Sequence, residues 1–253
     1  MTRDVSIVIP AYQEESRLPK TLSALDDFVA AATGDIEVVL VDDGSEDATA
    51  EIMTAWCVDR PFARSLSLPH AGKAHAVKNG MLASRRNRVL FMDADLSVPL
   101  EEVPKLLREL DRGADVAVGS RETHGSSRVG ESLLRRFRSR AFNWLVRSLL
   151  VKGINDIQCG FKAFTRQAAR QIFTKTLLHA TPKPGLKGPS VTAFDAEVLF
   201  LADHLGLEIV EVPVRWTFVR ESKVRAVADP FRLTGDVLKV RLNAMNGKYP
   251  KPE

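Results

Sequence analysis

The sequence predicts a single α/β domain built on a mainly parallel, doubly wound sheet flanked by helices. Two observations carry this prediction. Short apolar runs typical of buried strands alternate with stretches of helical length, which is the pattern of βαβ units and a parallel sheet. In addition, the 253 residues show no internal repeat and no linker that divides them, and one α/β domain of this length buries an ample core.

The first half of the chain shows this alternation most clearly. An apolar run at 5–9 reads as the first strand, which is expected to stop at Pro10, and Pro19 begins the first helix. Ser45 is placed to cap the second helix. Further strands are predicted at 36–41, 65–68, 88–92 and 115–119, and helices at 19–32, 46–57, 73–85 and 101–112.

The second half contains longer loops and one strongly basic helix. Its predicted elements are a polar loop at 120–130, a basic helix at 131–150, a loop entering a strand at 156–164, a Pro-rich mobile loop at 179–190, a helix at 193–205, a strand at 208–212 that extends to 218, a basic stretch at 220–225 and a last helix from about Pro230. Gly206 lies where a glycine ends the preceding helix.

Composition and charge narrow the class of partner. Hydrophobic residues make up 45% of the chain and charged residues 27%, which is ordinary for a globular protein, and the net charge is +4. The segment 121–152 is rich in Arg and Lys but contains two Glu and no Asp. An anionic partner is therefore expected, whether phosphate, a membrane surface or nucleic acid.

Cysteine usage and hydropathy indicate a location. Cys57 and Cys159 lie about a hundred residues apart in no metal or redox pattern, so the chain is expected to be reduced and cytoplasmic. The N-terminus leads directly into a strand, which argues against a signal peptide. No apolar run approaches the ~18 residues of a spanning helix, so membrane association is expected to be peripheral.

The end of the predicted strand at 88–92 carries the strongest chemical signal. Asp93 and Asp95 follow it, and residues i and i+2 of an extended chain point to the same side. Paired hard oxygen ligands suit Mg²⁺ or Mn²⁺, ions that are normally shared with a ligand's phosphates. Open α/β sheets bind ligands beyond the carboxyl ends of their strands, where this pair would lie. The alternative is a polar turn in which an Asp caps the next helix.

Two other strand ends are also acidic. Glu14 follows the first strand, and Asp42 and Asp43 follow the second. Carboxylates at one sheet edge repel one another unless a cation or a hydrogen-bonding ligand joins them, which favours a site. Asp42 and Asp43 could accept hydrogen bonds from a base or ribose, with Gly44 allowing close approach, or could cap the next helix. Lys73, at a helix start, could bind phosphate or be a solvated lysine.

Several segments taken together resemble a known family. In order and spacing, four of them resemble the family 2 inverting glycosyltransferases of the GT-A fold, and two more are similar to the branch of dolichyl-phosphate β-glucosyltransferases and bacterial polyprenyl-phosphate glycosyltransferases. The four segments are 9–14, 41–45, 72–74 and 92–95, and the two are 156–162 and 194–197. The resemblance covers about residues 4–225, and the motifs are specific as a set.

This resemblance implies a domain plan. Residues 1–225 would form a GT-A (nucleotide-diphospho-sugar transferase) catalytic domain, in which about 1–119 bind the nucleotide sugar and about 120–225 the acceptor. Residues 226–253 would add a C-terminal helix and a polar tail.

The resemblance also implies roles for individual residues. Asp95, together with Asp93, would hold Mg²⁺ or Mn²⁺ on the donor diphosphate. Asp93 would also touch ribose or uracil. Asp156 corresponds to the position proposed as catalytic base, although a phosphate acceptor is already ionised, so Asp156 could instead orient acceptor or sugar. The implied nucleotide-sugar pocket comprises Pro10, Tyr12, Glu14, Asp42, Asp43, Lys73, Asp93 and Ala94.

The basic helix at 131–150 bears on the acceptor. At about 100° per residue, its apolar residues fall within one arc of ~120°, with arginines on the flank. This suits a helix lying on an anionic membrane, and it is equally consistent with packing on the sheet. The apolar residues are Leu133, Leu134, Phe137, Ala141, Trp144 and Leu145, and the arginines are Arg136, Arg140 and Arg147. Candidates for acceptor phosphate or donor diphosphate are Arg121, Arg128, Lys223 and Arg225.

The predicted function is metal-dependent, inverting transfer of a hexose, glucose from UDP-glucose, to a polyprenyl or dolichyl phosphate at a membrane surface, without a nucleic-acid partner. A soluble acceptor or GDP-mannose is the alternative within the fold, and a non-catalytic membrane- or nucleic-acid-binding module is the alternative outside it. A sugar nucleotidyltransferase would carry a Gly-rich, Arg-containing loop where this chain has 11–14. The G-x-G-x-x-G and G-x-x-x-x-G-K-[ST] loops are both absent from the sequence.

Overall fold

A seven-stranded sheet forms the centre of the protein. The computed structural model describes residues 4–130, 132–151, 153–178, 188, 192–219 and 228–250. The strands are β1 Val5–Ala11, β2 Ile36–Asp42, β3 Ala63–Ser67, β4 Arg88–Met92, β5 Val116–Ser120, β6 Ser127–Val129, β7 Phe161–Thr165, β8 Ile209–Pro213 and β9 Arg215–Thr217. Their order is β3-β2-β1-β4-β7-β5-β8, and β6 pairs with β9 in a separate two-stranded sheet.

The large sheet is mainly parallel, as the sequence predicts. β1 runs parallel to β2 and β4, β2 to β3, and β5 to β8, whereas β7 runs antiparallel between β4 and β5. The helices are α1 Leu18–Ala31, α2 Thr49–Cys57, α3 Lys73–Ala83, α4 Val103–Asp111, α5 Leu133–Leu149, α6 Arg166–Lys175, α7 Phe194–His204 and α8 Ala228–Met245.

Helices cover both faces of the sheet and create two cores. One core contains buried side chains of α3, α5, α6, α7 and α8, and the other those of α1, α2 and α4. Side chains alternate along each strand, so Val8 of β1 lies in the first core while Ile7 and Ile9 lie in the second. Burial of each such side chain contributes roughly 1.5–3 kcal/mol. The doubly wound prediction is confirmed.

Two local predictions in the first half are wrong. Pro10 does not stop β1, which continues to Ala11; pairing with β4 ends at Val8, so Pro10 lies where the strand has β2 alone as a neighbour. Ser45 does not cap α2, because the helix begins at Thr49 without a side-chain cap. The Ser45 hydroxyl instead accepts a hydrogen bond from the loop after β1.

The second half has more regular structure than predicted. The loop predicted at 120–130 contains β6, and the strand predicted to extend to 218 is divided into β8 and β9. Gly206 has φ of 71° and follows α7, as predicted for a helix-ending glycine. Apart from Gly188, the loop predicted at 179–190 lies outside the described residues, and so does the basic stretch at 220–225.

The strand order places a site at one edge of the sheet. The chain leaves β1 for β2 on one side and later returns to β4 on the other, so the order reverses at β1. Ligands of open α/β sheets bind beyond the carboxyl ends of the strands at such a reversal. Residues after β1, β2 and β4 are therefore candidates for a common cleft.

Glu197 ties the C-terminal segment to the core. This buried α7 carboxylate accepts hydrogen bonds from the backbone N–H groups of Leu177 and Leu178 at 2.8 and 3.0 Å, and from the Tyr249 hydroxyl at 2.7 Å. We expect Tyr249→Phe to lower the free energy of unfolding by about 1–3 kcal/mol, because a buried carboxylate loses a donor. Urea denaturation measures this. Ser148→Ala, which removes an exposed hydroxyl bonded within its own helix, is the control, and equal stabilities would contradict the role of this contact.

Candidate active site

The carboxyl ends of β1 and β4 lie side by side, and each is followed by a turn with an unusual backbone. Gln13 and Leu96 adopt left-handed conformations, with φ of 52° and 53°. Hydrogen bonds hold both turns: Gln13 N donates to Ser45 Oγ, and Ser97 N donates to Asp95 Oδ1, each at 2.9 Å. Strain of this kind costs about 1–3 kcal/mol per residue and is concentrated at binding sites.

The carboxylate of Asp43 organises the loop ahead of α3. Its Oδ1 accepts a hydrogen bond from Ala71 N at 3.0 Å, and its Oδ2 accepts from Gly72 N and His70 Nδ1, each at 2.8 Å. The side chain is buried. Asp43 therefore fastens the end of β2 to the start of α3 through contacts inside the chain.

Gly44 and Asp42 belong to the same packed turn. Gly44 has φ of 69°, and a Cβ there would lie 2.6 Å from the backbone N of His70. The close approach that this glycine permits is thus to the chain's own loop, rather than to a ligand as the sequence suggested. Asp42 is buried too, and its Oδ1 accepts a hydrogen bond from Ser45 N at 3.2 Å.

Tyr12 and His70 form a flat aromatic pair beside these carboxylates. Their ring centroids are 4.1 Å apart and their planes differ by 9°, and both side chains are partly exposed. Burial and the nearby carboxylate of Glu46 raise the pKa of Tyr12, so the phenol is neutral at neutral pH. A stacked aromatic surface of this kind suits a planar base.

Glu14, Pro10 and Ala94 line the same edge. The Glu14 carboxylate pairs with Arg17 at 2.6 Å, so this acid is neutralised from within the chain. Pro10 and Ala94 are buried or nearly so, and the Ala94 carbonyl accepts a hydrogen bond from Thr21 Oγ1 at 2.6 Å. Their contribution is to the shape of the turn.

Lys73 joins the start of α3 to the end of β4. Its Nζ forms an ion pair with Asp93 Oδ1, and both side chains are partly exposed. Partial desolvation lowers the pKa of Lys73, but Asp93, Asp195 and Asp95 outweigh it and hold the pKa above its usual value. The ammonium is therefore charged and lies among three carboxylates. Its Nζ is also 5.8 Å from the ring centroid of Phe194.

Gly160 makes room for Asp93. A Cβ at this position would lie 2.3 Å from Asp93 Oδ2, which is closer than real Cβ contacts. A small cavity follows on the same side of Asp93, lined by residues that include Gly160, Phe161 and Trp216. A side chain larger than that of glycine at position 160 would therefore collide with the Asp93 carboxylate.

The donor set at this edge fits a divalent cation shared with a ligand. Asp93 and Asp95 supply carboxylate oxygens, and the Lys73 ammonium already stands where a positive charge is favoured. Among the described residues, no cluster of three or more His, Cys, Asp or Glu could hold a metal alone. Mg²⁺ typically uses one or two carboxylates and completes its shell with phosphates and water.

Asp156 lies inside the protein. Its side chain is fully buried, and Arg121 donates to it through Nε at 2.7 Å, Nη2 at 2.8 Å and the backbone N at 2.9 Å. Burial alone would raise the pKa of Asp156, but Arg121 lowers it below its usual value. A carboxylate held as an anion in this way is a weak proton acceptor, so the geometry favours orientation over base catalysis. A catalytic role for Asp156 stays a prediction.

Cys159 connects this buried pair with the carboxyl edge. Burial raises the pKa of its thiol to about 12, and the charges of both Asp156 and Asp93 act on it. The thiol is therefore protonated and unreactive at neutral pH. The next residue, Gly160, lies directly against Asp93, so the Asp156 segment and the end of β4 border one region.

Arg121 and Arg128 are both engaged within the chain. Arg128 Nη2 pairs with Glu122 at 2.5 Å, and the two side chains are 6% and 8% exposed. Glu122 also pairs with Arg140 of α5 at 3.1 Å. Lys223 and Arg225, the other two candidates for phosphate binding, lie outside the described residues.

Two further charged residues reach the site without a predicted role. Asp195, in the first turn of α7, pairs with Lys162 of β7 at 2.5 Å, and its charge acts on Lys73. Both lie in segments that the sequence analysis assigned to regular structure and to the family resemblance, without a role for either residue. A lysine within an otherwise apolar strand segment, here between Phe161 and Ala163, is the local signal of a buried, paired cation.

The apolar face of α5 points away from the protein. Leu133 is 84% exposed, Phe137 70% and Trp144 64%, whereas Asn143 and Val146 on the opposite side are buried. The predicted apolar arc is therefore present, and the alternative in which it packs on the sheet is wrong. In the described part of the chain, no helix is both long and apolar enough to cross a membrane.

Comparison with known sequences agrees with this geometry. The family model for glycosyl transferase family 2 matches residues 6–173. The chain is 32% identical over 257 residues to a dolichyl-phosphate beta-glucosyltransferase of Dictyostelium discoideum, covering 96% of this chain and 75% of that protein. It is 36% identical over 236 residues to one of Drosophila melanogaster, covering 87% and 69%.

Solved structures share the fold. Glucosyl-3-phosphoglycerate synthase from Mycobacterium tuberculosis, in complex with Mn²⁺, UDP-glucose and phosphoglyceric acid, has a TM-score of 0.64 at 20% identity, covering 99% of this chain and 81% of that one. S. aureus TarS 1–349 has a TM-score of 0.56 at 16% identity, covering 84% and 60%. At these identities the likeness shows the fold alone, and it confirms the predicted GT-A fold.

We expect Gly160→Ala to weaken UDP binding in the presence of Mn²⁺ by about 10-fold or more, because the new Cβ displaces the Asp93 carboxylate and costs a charge-assisted contact. Calorimetric titration measures this. The matched control is Gly235→Ala on α8, where a Cβ meets no atom within 4 Å. Equal affinities for the two variants would remove Asp93 from the binding site.

Proposed function

Because this chain belongs to glycosyl transferase family 2, we propose that it transfers a hexose, glucose from UDP-glucose, with inversion to a dolichyl or other polyprenyl phosphate. The observation that carries the proposal is the pairing of Lys73, at the start of α3, with Asp93, at the carboxyl end of β4. It occurs in a chain that is similar over nearly its whole length to dolichyl-phosphate beta-glucosyltransferases.

The donor would bind along the carboxyl edge of the first half. The Tyr12–His70 surface suits the base, and Asp42 lies beside it at the end of β2. Asp95 and Asp93 would hold Mg²⁺ or Mn²⁺, which when bound neutralises the charge that develops on the departing diphosphate. Lys73 and a divalent cation repel each other at one carboxylate, so Lys73 would turn from Asp93 to the donor phosphates.

The acceptor would approach from the second half. In the transfer, the bond between the sugar C1 and the diphosphate oxygen breaks, and its electron pair leaves with UDP. An oxygen of the acceptor phosphate then forms the new bond to C1 from the opposite face. This oxygen is already ionised near neutral pH, so the step requires no proton acceptor. A reaction without a proton acceptor is consistent with the hydrogen bonds from Arg121 to both oxygens of Asp156.

The test of the proposed reaction is a product analysis. The protein is incubated with Mg²⁺ or Mn²⁺, UDP-glucose or GDP-mannose, and either a short polyprenyl phosphate or 3-phosphoglycerate. We expect a β-linked glucosyl polyprenyl phosphate, identified by mass and by the anomeric coupling in NMR. A product formed with 3-phosphoglycerate alone would overturn the lipid acceptor, and an α-linked product would overturn inversion.

Asp95→Asn tests the proposed metal site. The change removes the charge of the carboxylate but keeps an oxygen that can accept from Ser97 N. We expect Mn²⁺ to increase the UDP affinity of the unaltered protein and to leave that of the variant unchanged in calorimetric titrations. The control is Asp203→Asn, which changes an exposed acid at the C-terminal end of α7. A variant whose UDP affinity still rises with Mn²⁺ would contradict the assignment.

A lipid acceptor requires access to a membrane surface, and α5 is suited to provide it. Its exposed apolar side chains would enter the interface while its arginines meet anionic headgroups. Of these arginines, Arg136 is exposed, whereas Arg140 pairs with Glu122 and Arg147 donates to Asn155 at 2.9 Å. Peripheral binding at a cytoplasmic membrane surface is therefore part of the proposal.

Replacing Arg136, Arg140 and Arg147 together with Gln should weaken binding to anionic vesicles by at least about 10-fold, since each basic residue contributes about 1 kcal/mol at such a surface. Sedimentation with phosphatidylserine-containing vesicles measures this. A matched triple change on α4, at Lys105, Arg108 and Arg112, lies on the opposite face of the sheet and should have little effect. Equal losses for the two triple variants would contradict docking through α5.

A further inference from the structure

Lys162 is a fully buried lysine that the proposed chemistry leaves unexplained. It lies on β7, opposite Phe91 of β4 and Val118 of β5, with no exposed surface. Moving an ammonium out of water costs several kcal/mol unless it is paired and hydrogen-bonded. Lys162 meets both conditions, because its Nζ donates to Asp195 Oδ1 at 2.5 Å and to the Cys159 carbonyl at 2.6 Å.

Asp195, in contrast, reaches the cleft. Its side chain is 13% exposed, while that of Lys162 is not exposed at all. It lies in the first turn of α7, where the helix dipole favours a negative charge. The neighbouring Phe194 ring is 5.8 Å from the Lys73 ammonium. Asp195 is therefore held from behind by a buried cation and lies close to the lysine that pairs with Asp93.

A fixed carboxylate in this position selects what it can contact. It accepts hydrogen bonds and donates none, and it repels the donor diphosphate and an acceptor phosphate. The donor nucleotide sugar brings three kinds of hydrogen-bond donor into the site: the uracil N–H, the ribose hydroxyls and the hexose hydroxyls. Asp42, at the end of β2, lies on the side of the Tyr12–His70 surface that suits the base, which leaves the hexose hydroxyls as the donors for Asp195. Holding the carboxylate in one orientation matters for such contacts, because hydrogen bonds depend steeply on angle.

We propose that Lys162 is a positioning residue that fixes the Asp195 carboxylate as the hydrogen-bond acceptor for a hydroxyl of the transferred hexose. The inference rests on the proposed function for the identity of the donor, UDP-glucose. It goes beyond that function by assigning recognition of the sugar, as distinct from the nucleotide, to a pair formed between β7 and α7.

The test compares UDP-glucose with UDP as ligands of the same variants. UDP carries the nucleotide and the diphosphate without the hexose, so the ratio of the two affinities isolates contacts to the sugar. For Lys162→Met and for Asp195→Asn, we expect Mn²⁺-dependent UDP binding to persist. A change in the repulsion between residue 195 and the diphosphate alters the affinities for UDP and UDP-glucose alike, so it cancels in their ratio. The affinity for UDP-glucose relative to UDP should fall by about 10-fold, the scale of one charged hydrogen bond.

A double variant and a conservative variant separate positioning from a structural role. If Lys162 acts through Asp195, the combined Lys162→Met and Asp195→Asn protein should lose no more relative affinity than either single variant. Lys162→Arg, which keeps the charge and a hydrogen-bond donor, should recover part of the loss. Arg64→Met is the control, because it breaks the partly buried pair with Glu37 between β2 and β3 and should lower stability without changing the ratio.

Two outcomes would overturn the inference. One is an unchanged ratio of UDP-glucose to UDP affinity in Lys162→Met, which would leave Lys162 as a structural link between β7 and α7. The other is additive losses in the double variant. Because the readout is binding, the inference is distinguishable from the proposed function: absence of transfer to any lipid phosphate would refute the latter and leave the affinity ratios intact.

Discussion

Repulsion among carboxylates at one sheet edge is the constraint on which the site depends. Like charges gathered this closely raise one another's energy unless cations lie between them. The chain supplies those cations from separate elements: Lys73 from the start of α3 pairs with Asp93, Lys162 from β7 pairs with Asp195, and Arg121 after β5 pairs with Asp156. Two of the three pairs are anchored by buried groups, whereas both partners in the Lys73 pair are partly exposed. Of these three pairs, the Lys73–Asp93 pair is therefore the most accessible to solvent.

The acidic residues at the strand ends fall into two groups, which differ in whether their carboxylates are already bonded within the chain. The Asp43 carboxylate accepts hydrogen bonds from the loop that leads into α3, and the Glu14 carboxylate forms an ion pair with Arg17. Asp93 and Asp95, in contrast, keep exposed surface at the end of β4. Acidic side chains are needed as hydrogen-bond acceptors in these loops. The left-handed and tightly packed turns at the strand ends lack the regular backbone hydrogen bonds of a helix or a sheet.

The alternation of strands and helices and the acidic residues at the strand ends could be predicted from the sequence, because both depend on residues that are close together in the chain. The sequence does not predict that β7 inserts antiparallel between β4 and β5, since a strand's neighbours depend on the whole topology. That insertion places Lys162 of β7 between β4 and β5, where it pairs with Asp195 of α7, so this pair escaped prediction. The errors at Pro10 and Ser45 have a similar origin. A proline is tolerated where a strand lacks one neighbour, and the Ser45 hydroxyl finds a tertiary partner in Gln13.

The apolar arc of α5 could be predicted from the sequence because the 3.6-residue period of an amphipathic helix separates the residues of its two sides. Its apolar arc is exposed, whereas Asn143 and Val146 on the opposite side are buried. On that side, Asn143 Oδ1 accepts a hydrogen bond from Ile157 N at 3.3 Å, and from the flank Arg147 donates to Asn155. These contacts bracket Asp156. Through them α5 packs against the segment that carries the buried Asp156–Arg121 pair, so the exposed apolar arc and that ion pair belong to one packed unit.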